Sequence, residues 1–124
     1  MTKPQSPVGG TNFDLNAVEQ ELRHDDAFAR NGHAARTLIH EPDLRIVLVA
    51  MKAGSRIREH RANETASIHP LHGHIRLQLE NKAVELRAGQ LLVLESGLPH
   101  DVEAIADGAF LLTLGWRKGQ ATSA

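Results

Sequence analysis

The chain has no cysteine and no tyrosine. Disulfides, thiolate catalysis and cysteine-type zinc sites are therefore excluded within it. Aromatic residues are scarce: Phe13, Phe28, Phe110 and Trp116 are the full set. Charge of one sign is also lacking. The net charge is −1 with neutral histidines, so no strong pull toward nucleic acid or acidic membrane is expected. No apolar run reaches the length of a membrane span. Residues 1–10 are polar, with Pro and Gly and no apolar signal core, which makes a cytoplasmic address the expectation.

What the chain does have is an ordinary globular balance, 41% hydrophobic and 23% charged, over 124 residues. That length suits one domain with a core of its own. The unusual feature is eight histidines in so short a chain.

Residues 1–11 read as a disordered lead-in. From residue 12 to 23 the apolar residues Leu15, Val18 and Leu22 keep helical spacing, and Asp14 is placed to cap them. The apolar stripe of this short helix is narrow, which suits a helix lying on a larger body. A first strand is expected over residues 36–40. Residues 44–51 are apolar apart from Arg45, the pattern of a strand covered on both faces.

Further strands are expected over residues 55–61, 65–71, 74–80, 83–87, 91–94, 100–105 and 109–116. Turns at Ala53-Gly54, Asn63-Glu64, Gly73, Asn81-Lys82, Ala88-Gly89 and Asp107-Gly108 separate them. About eight or nine short strands at regular spacing predict an all-β barrel or jelly roll, because closure removes exposed sheet edges. The tail from residue 117 is polar.

Two segments carry more than strand pattern: "GSRIREHRANETASIHPLHG" from Gly54 to Gly73 and "GQLLVLESGLPH" from Gly89 to His100. Together they resemble the two motifs of the cupin superfamily, with Gly54, His60, Gly73, Gly89, Gly97 and His100 in register. The resemblance covers about residues 44–116 and implies a cupin-type antiparallel β-barrel, an RmlC-like jelly roll, with a short N-terminal helix. It divides the chain into a lead-in (1–11), a helix and first strand (12–43), the barrel (44–116) and a tail (117–124).

The departures from the motifs bear on function. The second histidine of the first motif falls on Ala62. The carboxylate position falls on Ala66 or Ser67, and the usual proline of the second motif is Glu95. The run is similar to that of small single-domain cupins with His-x-Ala in place of His-x-His, a subgroup without one common activity. Of the usual metal ligands, His60 and His100 are kept and two are absent. Catalytic metal sites normally use three protein ligands. The resemblance thus implies a ligand pocket around His60, Ala62, Ala66 and His100. A divalent transition metal would be held weakly by His60 and His100, with His69 as a third ligand only if its strand is bulged.

Strand parity puts His72 and His74 on one face and His69 on the other, unless Gly73 marks a bulge. The plain reading of His72 and His74 is a solvated strand end. Arg56 and Arg58 share parity with His60, so one of them could bind a carboxylate at the pocket mouth. Asp101 and Glu103 alternate away from His100. His24, His33 and His40 have no partner that the sequence names. No phosphate loop, nucleophile elbow or zincin motif is present.

The expected function is binding of a small molecule, with a metal-dependent oxygenase or isomerase as the alternative and a sensor or storage role as a third class. The fold hosts all of these. A homodimer is also expected, because the strand at residues 36–40 would otherwise leave Leu38 and Ile39 on an open edge.

Overall fold

The computed structural model describes residues 9–117, apart from the side chains of Glu59, His60, Trp116 and Arg117. The lead-in and tail expected at the termini fall largely outside the described residues. Helix α1 spans Leu15–Arg23, and the Asp14 side chain caps it by accepting from the Ala17 N–H at 3.1 Å. A second helix, α2, spans Asp26–Asn31 and stops at Gly32, whose φ of 78° closes the last turn. The sequence gives no periodic signal for α2, because six residues hold too few apolar positions to show one.

Seven strands follow: β1 (His33–Glu41), β2 (Leu44–Met51), β3 (Arg56–His60), β4 (Glu64–Gln78), β5 (Ala83–Arg87), β6 (Leu92–Leu94) and β7 (His100–Arg117). All pairings are antiparallel. β4 and β7 are each long enough to belong to two layers. One layer runs β1, β2, the second half of β7, the first half of β4, and β6. The other runs β3, the first half of β7, the second half of β4, and β5. This is a jelly roll, as the sequence predicts.

The strand count differs from the expectation for one physical reason. Residues 65–71 and 74–80 fall largely within one strand, as do 100–105 and 109–116. The apparent turns at Gly73 and Asp107-Gly108 are bends where the two long strands pass from layer to layer. Gly73 has a φ of 91°, and a Cβ there would lie 2.5 Å from the Asp107 carbonyl oxygen. A Cβ on Gly108 would meet the His72 carbonyl oxygen. The β4–β7 register shifts three times between Pro70 and Ile75, so the ladder bends without breaking.

Two apolar clusters hold the fold. Between the layers lie Val49, Met51, Ile68, Ile75, Leu77, Leu79, Leu86, Leu94, Val102, Ala104 and Phe110. On the outer face of β1 and β2, Leu22 packs with Ala34, Leu38, Leu48, Ala50 and Ala109. β2 is therefore covered on both faces: the barrel interior takes Val47 and Val49, and the helices take Ile46 and Leu48. Leu38 is covered by this chain's own helices, and a register shift between Thr37 and Ile39 lets Ile39 be buried beside it. The apolar pair read as needing a partner strand is thus sheltered within the chain.

A polar network fastens α1 to the bend. Glu19 is only 4% exposed, yet it accepts from Arg23 Nε at 2.9 Å and from His72 Nε2 at 2.7 Å. Arg23 also donates to the Gly108 carbonyl at 3.1 Å. A carboxylate so enclosed is tolerable because two donors, one of them the Arg23 guanidinium, satisfy it.

The bend yields a direct test. Gly108→Ala must displace backbone, so urea unfolding should show a loss of about 1–3 kcal/mol. Gly115→Ala, whose Cβ would meet only the Thr65 carbonyl at 3.9 Å, should stay within about 0.5 kcal/mol of the parent. Equal effects of the two would contradict the close approach.

Candidate functional site

The layers separate at one side of the interior and leave a cavity of about 370 Å³. β1 contributes His33, Ala35 and Thr37 to its wall, and β2 contributes Arg45, Val47 and Val49. These are alternate residues, so strand parity alone sets which side chains face inward. Ile68 of β4 with Phe110 and Leu112 of β7 complete that layer's share. Ile57 of β3 with His100 and Val102 of β7 close the cavity from the opposite layer. The first strand is therefore part of the barrel wall as well as a lead into it.

His100 is 5% exposed and opens β7. Its Nδ1 donates to the Leu98 carbonyl at 3.1 Å. That bond fixes the orientation of the ring in the wall. Pro99 restricts Leu98 to extended backbone, which helps set this geometry. On its other side His100 borders an open surface depression with Arg61, Gln78, Glu80 and Asp101.

The expected site residues are only partly brought together. The backbone of His60 pairs directly with that of His100 across β3 and β7; the His60 side chain lies outside the described residues. Ala62 sits after β3, where its carbonyl accepts from Gly97 N–H at 2.7 Å. Ala66 is buried between Leu94 and Leu114 of the neighbouring strands. Neither alanine lines the cavity. His69 is exposed and alternates with the inward-facing Ile68, so it turns away from the interior.

The other polar residues singled out have partners elsewhere. Arg56 pairs with Asp101 at 3.0 Å on the surface, and Arg58 is exposed. His72 binds Glu19, as described, and His74 donates to Glu85 at 2.6 Å. Each of these two histidines hydrogen-bonds a carboxylate, and the His72 side chain stays half exposed as expected for a strand end. The His74 hydrogen bond, with the nearby Arg76 guanidinium, holds the Glu85 carboxyl below its ordinary value.

Two cavity residues escape the sequence reading. Nδ1 of His33 and Nε of Arg45 are both buried without a hydrogen-bond partner. The backbone register puts them at opposite ends of the β1–β2 wall. His33 lies across from Met51, and Arg45 lies across from His40. Arg45 had a signal available: a charged residue within an apolar strand covered on both faces must meet a cavity or a counter-ion. His33 had none, because its strand was expected to start three residues later.

Metal chemistry needs a donor set, and the described residues do not supply one. Among them no three His, Asp or Glu side chains converge as a metal site would require. Ala62 and Ala66 carry no donors, and His69 points away. The described residues alone assemble no metal site, and the His60 side chain is not among them.

Comparison with known proteins follows the architecture. The family model described as "Cupin domain" matches residues 47–114. No curated protein matches the chain. A conserved protein of unknown function from Streptococcus pyogenes superposes with a TM-score of 0.69 at 20% identity, over 96% of this chain and 98% of that one. A cupin superfamily protein from Desulfitobacterium hafniense gives 0.66 at 14% identity, over 69% and 79%. KdgF from a Halomonas species gives 0.62 at 22% identity, over 70% and 82%. These structural likenesses speak for the fold alone. With the family match covering more than half its length and the two-layered barrel on view, the chain belongs to the cupin family.

Proposed function

We propose that this chain binds a small, mostly apolar molecule in the cavity between its two layers, with His100 as a polar group in the wall. One observation carries the reading: an interior space of about 370 Å³ whose walls are aliphatic and aromatic apart from a few separated polar residues. Small-molecule pockets commonly span about 300–1,000 Å³ and have this composition. Apolar burial supplies affinity at roughly 25 cal/mol per Å², and the sparse polar groups supply orientation.

The metal-dependent reading has one feature in its favour, the backbone pairing of His60 with His100. The reading put forward here rests on the apolar lining of the cavity and not on a ligand set.

A neutral fluorophore, N-phenyl-1-naphthylamine, tests the cavity. It should brighten on binding with about one site per chain. Val47→Phe fills part of the space and should weaken binding at least tenfold while the protein stays folded. Unchanged binding by the Val47→Phe protein would show that the probe sits elsewhere and would overturn the cavity as the binding site.

The homodimer belongs to the same proposal, on a narrower ground than apolar residues. β1 ends the sheet order, and an edge strand offers backbone donors and acceptors to a second copy. Light scattering at micromolar concentration should give twice the 13.6 kDa chain mass. A monomer over that range would count against it.

A further inference from the structure

We propose that Arg45 makes the cavity selective for a monocarboxylic acid with an apolar body. The inference rests on the cavity-binding reading and goes further by naming the ligand's charged group. Arg45 belongs to β2, between His40 of β1 and Leu114 of β7. It shares strand parity with Val47 and Val49, and all three line the cavity.

A guanidinium remains charged at any physiological pH, so burying it uncompensated is unfavourable. Other arginines show the usual remedy. Arg23, Arg36, Arg56 and Arg76 each meet a carboxylate within 4.0 Å. Among the described residues Arg45 has no ion pair, and its Nε is buried without any acceptor. Glu41 and Glu64 border the small outer cleft that Arg45 also touches, and each has a partner. Arg45 is half-buried, so its guanidinium stands beside an apolar cavity with a buried Nε–H that has no acceptor and no carboxylate in direct contact.

The chemistry of that guanidinium selects the ligand class. A carboxylate matches the planar fork of a guanidinium with two parallel hydrogen bonds. Its single charge balances the single cation. A phosphate dianion would need further donors, and Val47, Val49, Ile68 and Phe110 offer none. The same walls favour an aliphatic or aromatic body behind the carboxylate. Among the described residues the other buried unpartnered side-chain atom, His33 Nδ1, lies at the far end of the β1–β2 wall. Six residues of strand separate the two ends, about 20 Å between backbones. Arg45 therefore supplies the charge at that end of the cavity, with the Thr37 hydroxyl on the same wall.

Calorimetric titration of the full chain with octanoate and with its neutral isostere octanamide tests this. Octanoate should bind at least tenfold tighter than octanamide. Arg45→Gln should weaken octanoate at least tenfold, down to the level of the amide, and leave octanamide nearly unchanged. Arg45→Lys should keep part of the preference, because the charge survives without the fork. Equal binding of acid and amide to the parent protein would overturn the inference, as would full octanoate affinity in the Arg45→Gln protein. Should Arg45→Gln fail to fold, the acid–amide comparison on the parent decides alone. If neither compound binds but N-phenyl-1-naphthylamine does, the carboxylate inference falls and the cavity reading stands. If none of the three binds, both fall.

Discussion

At the crossing of the two long strands, Gly73 lies against the carbonyl of Asp107 and Gly108 against that of His72, at separations that leave no room for a side chain. A strand carrying Cβ atoms there would hold its neighbour at the ordinary ladder spacing and run straight. Freed of them, β4 and β7 both bend at one place and continue into a second layer. Two strands thus supply the central pairs of two sheets, and the interior between the sheets exists because of that bend. The site depends on it too, since His100 and Val102 come from one half of β7 and Phe110 and Leu112 from the other.

The helices reinforce the same point. Leu22 and its neighbours cover the outer face of β1 and β2, while Glu19 and Arg23 reach the His72 side chain and the Gly108 carbonyl. The helical cover explains why β2 can be apolar on both faces. It also frees the inner face of β2 to carry an arginine: the outer face already anchors the strand, so Arg45 can face the cavity without the strand losing its hold.

Most of the fold was legible in the residue pattern. The strand at residues 83–87 matches its expected bounds, and that at 44–51 does as well. The hairpin turns between them carry residues that only turns favour. The two bends were not legible as bends, because Asp107-Gly108 has the composition of a reversing turn and nothing local distinguishes the two. The site was less legible than the fold. Motif spacing pointed to His100, and the structure places it in the cavity wall. The same spacing pointed to Ala62 and Ala66, which lie outside the cavity walls, and His69, expected as a ligand only from a bulged strand, turns to solvent by parity. Arg45 and His33 come from strands before or at the start of the motif region. Their importance depends on which face of β2 is the inner one, and a strand apolar on both faces does not reveal that.

In the binding proposed here, the apolar cavity and the Arg45 guanidinium act as a single site. Nuclear magnetic resonance reports on both halves at once, through the methyl groups of Val47, Val49 and Leu112 and the Nε–H of Arg45, assigned by its loss in the Arg45→Lys protein. On titration with octanoate, the methyl signals and the Arg45 Nε–H should shift together along one saturating curve, the Nε–H moving downfield as a carboxylate becomes its acceptor. Methyl shifts with an Arg45 signal that stays in place, or an Arg45 shift that leaves the methyl groups unmoved, would contradict it.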